Sequence, residues 1–209
     1  GTLYARSTMV ALVFLTFGLV AMQVAAIVNR AAMLQLGQAG SFLAAGIGFV
    51  NGNVATLIPV AVLVFGTAAL GDLIDDGSLV YLWLRPIPHW VPVLAAWGAT
   101  VTVVVPLVLV PVAASTLIIA PSATLVAAAL IGGLVAIAAY AALFVMLGVR
   151  FRRALPWGLV YILIWEGFVA SAGDTASKLA VRSYIRSILS VITDTSLKLG
   201  DFSLATGIV

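Results

Sequence analysis

The stretch LVAAALIGGLVAIAAYAALFVMLGV, Leu125 to Val149, runs for 25 residues without a charge and closes on Arg150-Phe151-Arg152-Arg153. A helix needs roughly 20 predominantly apolar residues to cross about 30 Å of hydrocarbon, so this segment reads as a membrane span. The rest of the chain agrees: 64% of its 209 residues are hydrophobic and only 8% charged, and the mean hydropathy is +1.25. A soluble domain carries about a quarter charged residues. The composition thus excludes an ordinary water-soluble globular protein, and it equally excludes disorder, which needs low hydrophobicity and high charge.

Working outward, four more uncharged runs appear. Met9 to Val28 is bracketed by Arg6 and Arg30 and is longer than the core of a cleaved signal peptide. Val54 to Leu70 begins after the turn-like Asn51-Gly52-Asn53 and ends at Gly71-Asp72. Val91 to Leu117 contains Pro92, Pro106 and Pro111, which remove backbone donors and are expected to bend the helix. Leu155 to Ala170 is short and holds Glu166, the one carboxylate predicted within a span. Ala31 to Val50 is rich in Gly, Ala, Gln and Ser and is expected to form an external loop with at most an interfacial or re-entrant helix. With no repeat and no linker, residues 1–209 read as one all-α integral membrane domain with five visible spans, 9–28, 54–70, 91–117, 125–149 and 155–170.

Orientation follows from Lys and Arg in short loops. With the N-terminus in the cytoplasm, the inner segments hold Arg6, Arg85, Arg150, Arg152 and Arg153, and the short outer loops hold only Arg30. The fifth span then delivers the tail to the outside. There Val181, Tyr184, Ile185, Ile188, Leu189 and Ile192 fall on one helical face and Lys178, Arg182 and Arg186 on the other, which predicts an amphipathic helix at the membrane interface over about 175–192.

Several chemistries are excluded. The chain has no cysteine and its one histidine is His89, so zinc and multi-histidine metal sites cannot be built. Gly173-Asp-Thr-Ala-Ser-Lys178 is similar to a phosphate-binding loop but lacks its second glycine, and Leu179 stands where Ser or Thr would hold magnesium. The net charge of +3 comes from 10 Lys and Arg against 7 Asp and Glu. Without a clustered basic face, nucleic-acid binding is not expected. Gly48 and Gly52 form a GxxxG pair beside polar Asn51 and Asn53, where a turn is expected rather than a helix-packing seam. Glu166, near the predicted outer end of its span, reads either as an interfacial structural group or as a lining residue of a substrate or proton path, and Tyr184 as part of a gate.

The loop between the second and third spans reads GDLIDDGSLVYLWLRPIPHW, Gly71 to Trp90. Residues 72–86 are expected to form a short helix along the cytoplasmic surface. Asp75 and Asp76 would favour its N-terminus, Leu79, Leu82 and Trp83 form an apolar stripe, and Arg85-Pro86 ends it. An acidic turn, Gly-Ser-Leu, aliphatics and then Arg-Pro-Ile-Pro before an apolar span closely resembles the coupling helix of the type 2 ABC exporter permeases. In that family the glycine is followed by Thr, where this chain has Ser78, and a basic residue follows the proline, where His89 stands nearby. The layout is similar too, with a basic turn after the fourth span and an external helical element after the fifth.

The resemblance implies a bacterial plasma-membrane permease subunit that itself binds no cofactor. A second copy or close relative would pair with it among membrane lipids, and a cytoplasmic ABC ATPase carrying ATP and Mg would drive export. The uniformly aliphatic spans fit an amphiphilic or lipid-like substrate. Asp72, Asp75, Asp76, Gly77, Leu79, Tyr81, Leu82, Arg85 and Pro86 would contact the ATPase. A sixth span is expected beyond Val209. The competing readings are a non-transporting subunit of a larger membrane complex and a secondary carrier using Glu166.

Overall fold

The computed structural model describes residues 2–37, 42–75, 77, 88, 90–151 and 154–166. Among them every regular element is helical. In chain order they are α1 (Thr2–Gln35), α2 (Phe42–Asp75), α3 (Trp90–Val104), a π-helical segment π1 (Val105–Leu109), α4 (Val110–Ile119), α5 (Ala123–Arg150), α6 (Ala154–Val160) and a second π segment π2 (Tyr161–Glu166). Four long apolar helices are compatible with a membrane protein: Thr16–Gln35, Phe42–Ala69, the composite Trp90–Ile119, and Ala123–Arg150. The helix from Ala154 is shorter.

Most of the loop expected over Ala31 to Val50 is helical instead. α1 continues to Gln35 and stops at Gly37, whose φ of 67° lies in the left-handed region that glycine adopts without strain. α2 begins at Phe42 and runs straight through Asn51-Gly52-Asn53. The expected turn there is absent because the polar side chains are satisfied by their own helix. Asn53 Nδ2 donates to the Phe49 carbonyl at 2.8 Å and Thr56 Oγ1 to the Gly52 carbonyl at 2.7 Å. Gly48 and Gly52 sit in this helix, and among the described residues no atom lies near enough to touch an added Cβ, so there the pair forms neither a turn nor a seam.

Two of the three prolines of the third span fall where its hydrogen-bond ladder changes from α to π. Pro106 lies inside π1 and Pro111 just after it, and the wider π turn accommodates backbone carbonyls whose α-helical donors those prolines lack. The turn Ala120-Pro121-Ser122 then reverses the chain, with Ser122 Oγ capping α5 at the Leu125 amide.

α2 and α5 form the centre of the bundle. They run parallel, and glycines let them approach closely: a Cβ at Gly46 would lie 2.6 Å from Leu125 Cδ2, one at Gly66 3.1 Å from the Phe144 Cβ, and one at Gly148 3.0 Å from the Thr67 carbonyl oxygen. Close approach of this kind replaces the hydrophobic effect as the attraction between helices in lipid. Around this seam Ile58, Leu63, Val104, Val108, Ile137, Tyr140 and Phe144 are fully buried. Tyr140 stacks on Phe144 at 5.9 Å, and the ring of Tyr161 meets Phe144 edge-on at 6.3 Å, which ties the fifth helix to α5. Gly158 of α6 packs against the Leu63 side chain of α2.

Candidate functional site

Of the residues read from the sequence as partner contacts, Asp72 and Asp75 fall in the described helices and Gly77 just beyond them. The acids do not start a new helix as expected. α2 carries on to Asp75, so both lie in its last turn, and Gly77 follows with φ 69°. The reason is visible in the composition: Leu70, Leu73 and Ile74 supply helix-compatible apolar residues past the predicted end at Leu70, and the left-handed glycine supplies the stop. Asp76, Leu79, Tyr81, Leu82, Arg85, Pro86 and the predicted external helix at 175–192 with Tyr184 lie outside the described residues. The next described helix resumes at Trp90, with the Val91 amide donating to the Pro88 carbonyl at 3.0 Å.

This placement has an electrostatic consequence. A carboxylate at a helix C-terminus faces unpaired carbonyls and the negative end of the macrodipole. The same charge that gains about 0.3–1 kcal/mol at an N-terminus is disfavoured here. α2 therefore carries two acidic residues in its last turn, where the macrodipole disfavours negative charge.

Glu166 closes π2. The described part of this helix, from Ala154 to Glu166, spans about 20 Å at 1.5 Å per residue.

Sequence reading did not assign roles to two polar groups that lie at helix contacts. The Arg30 guanidinium, from α1, donates to the Ile118 carbonyl at the end of α4 and lies over the Phe42 ring at 5.9 Å. Gln23, two turns earlier, donates to the Pro111 carbonyl at 2.8 Å, which also accepts from Ser115 Oγ. Arg30 is the lone outer-loop cation in the charge tally, and here it neutralises the C-terminal dipole of α4. The available signal was its isolation: one arginine on a side otherwise free of short-loop cations. Comparison of the chain with models of known families, with characterised proteins and with solved structures returns no match, so the functional reading is carried by the chain's own residues.

Proposed function

We propose that this chain is the membrane-spanning subunit of an ATP-driven exporter of the type 2 ABC class, moving an amphiphilic or lipid-like substrate. The observation that carries the reading is the segment Gly71 to Trp90. A long apolar helix stops at an acidic turn and a left-handed glycine, and the next span opens at Trp90 after Arg85-Pro-Ile-Pro88. Such a connection is long enough to hold a short surface helix, and the resemblance of its residues supports a coupling role.

In this reading the chain performs no covalent chemistry. ATP and Mg reside on a separate cytoplasmic ATPase, and two permease chains pack around the path. Closure of the ATPases would be transmitted as rigid-body tilting of the bundle, in which α2 is the lever. Its acidic tip sits at one end, and the glycine seam with α5 makes the remainder move as a block.

The test is Asp75→Lys combined with Asp76→Lys. Like-charge juxtaposition at an interface can cost several kcal/mol. The variant should insert and remain monodisperse, but should lose a co-expressed ATPase on purification and lose substrate-stimulated ATP hydrolysis. Val60→Leu, on an outward position of α2, should keep both. A charge-reversed chain that retained its ATPase and its stimulated turnover would make the loop a passive interfacial helix and favour the structural-subunit reading. Glu166, a carboxylate in the apolar helix that starts at Ala154, motivates a second reading, a proton-coupled carrier. Glu166→Gln abolishing a pH-gradient-driven flux in vesicles without any ATPase would establish it.

A further inference from the structure

At the end of α5 the chain builds a stacked ladder that the transport reading does not use. Arg150, in the last turn of α5, lays its guanidinium over the Phe151 ring at 5.7 Å, and Phe151 in turn stacks on Trp157 of α6 at 5.6 Å with an interplanar angle of 29°. The geometry is produced locally. Phe151 leaves the helix in extended conformation, φ −122° and ψ 126°, while its amide still bonds the Leu147 carbonyl at 3.0 Å. α6 begins at Ala154, which brings Trp157 back over the turn.

All three side chains are exposed. Trp157 is 56% and Phe151 37% accessible, an uncommon cost for two aromatics unless something apolar covers them. Among the described residues no carboxylate pairs with Arg150. Bilayer-ward of the ladder, Met146 and Val149 on α5 and Val160 on α6 are also exposed.

The geometry points to a binding site for the headgroup of an anionic phospholipid. The planar guanidinium, placed over the Phe151 ring, offers a fork of N–H donors matched to phosphate oxygens. Trp157, just inside the start of α6, is of the residue type that favours the headgroup boundary, and Phe151 stacks on it. The apolar residues below supply a track for the acyl chains. Charge complementarity selects the ligand: an unpaired cation on an aromatic platform at a membrane face favours a lipid with net negative charge over a zwitterionic one. A lipid held across the α5–α6 turn would clamp these helices together. This inference depends only on α5 ending at a membrane face and stands apart from the exporter reading.

The test is native mass spectrometry of the full chain in mild detergent, titrated with dioleoyl phosphatidylglycerol or dioleoyl phosphatidylcholine and with no ATPase present. The wild type should retain phosphatidylglycerol at about fivefold lower concentration than phosphatidylcholine. Arg150→Gln should remove that preference. Arg150→Lys should retain part of it, since charge remains and the fork is lost. Trp157→Leu should weaken both lipids alike. Arg30→Gln, which changes a cation committed to a carbonyl elsewhere, should leave the preference unchanged. Glycerol phosphate at the same concentration should not displace the lipid; effective displacement would make this a free-phosphate site and overturn the lipid assignment. Unchanged phosphatidylglycerol retention in both Arg150 variants would overturn the site itself, and because Arg150→Lys and Trp157→Leu are mild, a folding failure of Arg150→Gln alone leaves the test decisive.

Discussion

Arg30 and Gln23 are two polar residues on one helix face that contribute differently. Arg30 makes a charge-assisted bond to the α4 terminus and a ring contact with Phe42, joining α1, α2 and α4 at one point. Hydrogen bonds to charged groups contribute about 1.5–3 kcal/mol. Arg30→Gln should therefore lower the unfolding temperature in detergent by several degrees, read from the thermal loss of the monodisperse peak. Gln23 makes a neutral bond to Pro111, which already receives Ser115. Bonds between membrane helices average about 0.6 kcal/mol. Gln23→Leu should thus leave the same transition within a degree or two, and a large drop would show that α1 is held by this bond rather than by packing.

At the scale of the elements, the α2–α5 seam is a geometric device and α1 is a loosely held one. The Thr67 backbone faces Gly148 with no room for a side chain, and Phe144 faces Gly66 in the same way. Forcing bulk into a packed site costs typically 1–3 kcal/mol. Gly148→Val should destabilise the bundle by that amount or more, since backbone on the other side cannot yield, while Gly98→Ala in α3, where nothing lies within 4 Å, should be neutral or mildly stabilising. Thermal unfolding of the two variants side by side decides whether the seam carries the bundle. α1 contrasts with α5: 17% of its apolar window is buried against 44%. Local opening should therefore begin in α1, and hydrogen exchange in detergent should show its amides outside Gln23–Arg30 exchanging before those of α5.

For the whole molecule, the parallel packing of α2 against α5 decides which ends share a face. α2 and α5 finish at the same side, so the acidic tip of α2 and the Arg150 ladder belong to one surface. In the orientation expected from the Lys and Arg distribution, that surface would face the cytoplasm. Cysteines at Ser7, Ser78 and Ala154 should be protected from an impermeant external thiol reagent and one at Ser183 should react. Labelling at Ser78 from outside would invert the topology and remove the coupling reading with it, while leaving the lipid site testable at the other leaflet.

The sequence by itself determined that the chain is helical and apolar enough to live in a membrane, and it located the third and fourth long helices closely. Those are properties of single segments: an uncharged run of sufficient length must hydrogen-bond its own backbone in lipid, whichever neighbours it has. It also marked the acidic turn and the glycine after it, though not which helix the acids terminate. The start of α2 at Phe42 and its passage through Asn51-Gly52-Asn53 were hidden, because a hydropathy reading scores Asn and Thr as polar without knowing that each bonds a carbonyl of its own helix. The tertiary structure alone decided which glycines matter. Gly48 and Gly52 have the familiar spacing and touch nothing, whereas Gly66 and Gly148, on different helices, meet across one seam. A glycine stabilises packing only through what fills the space its missing side chain leaves, and that partner is set by the register of two helices far apart in the chain.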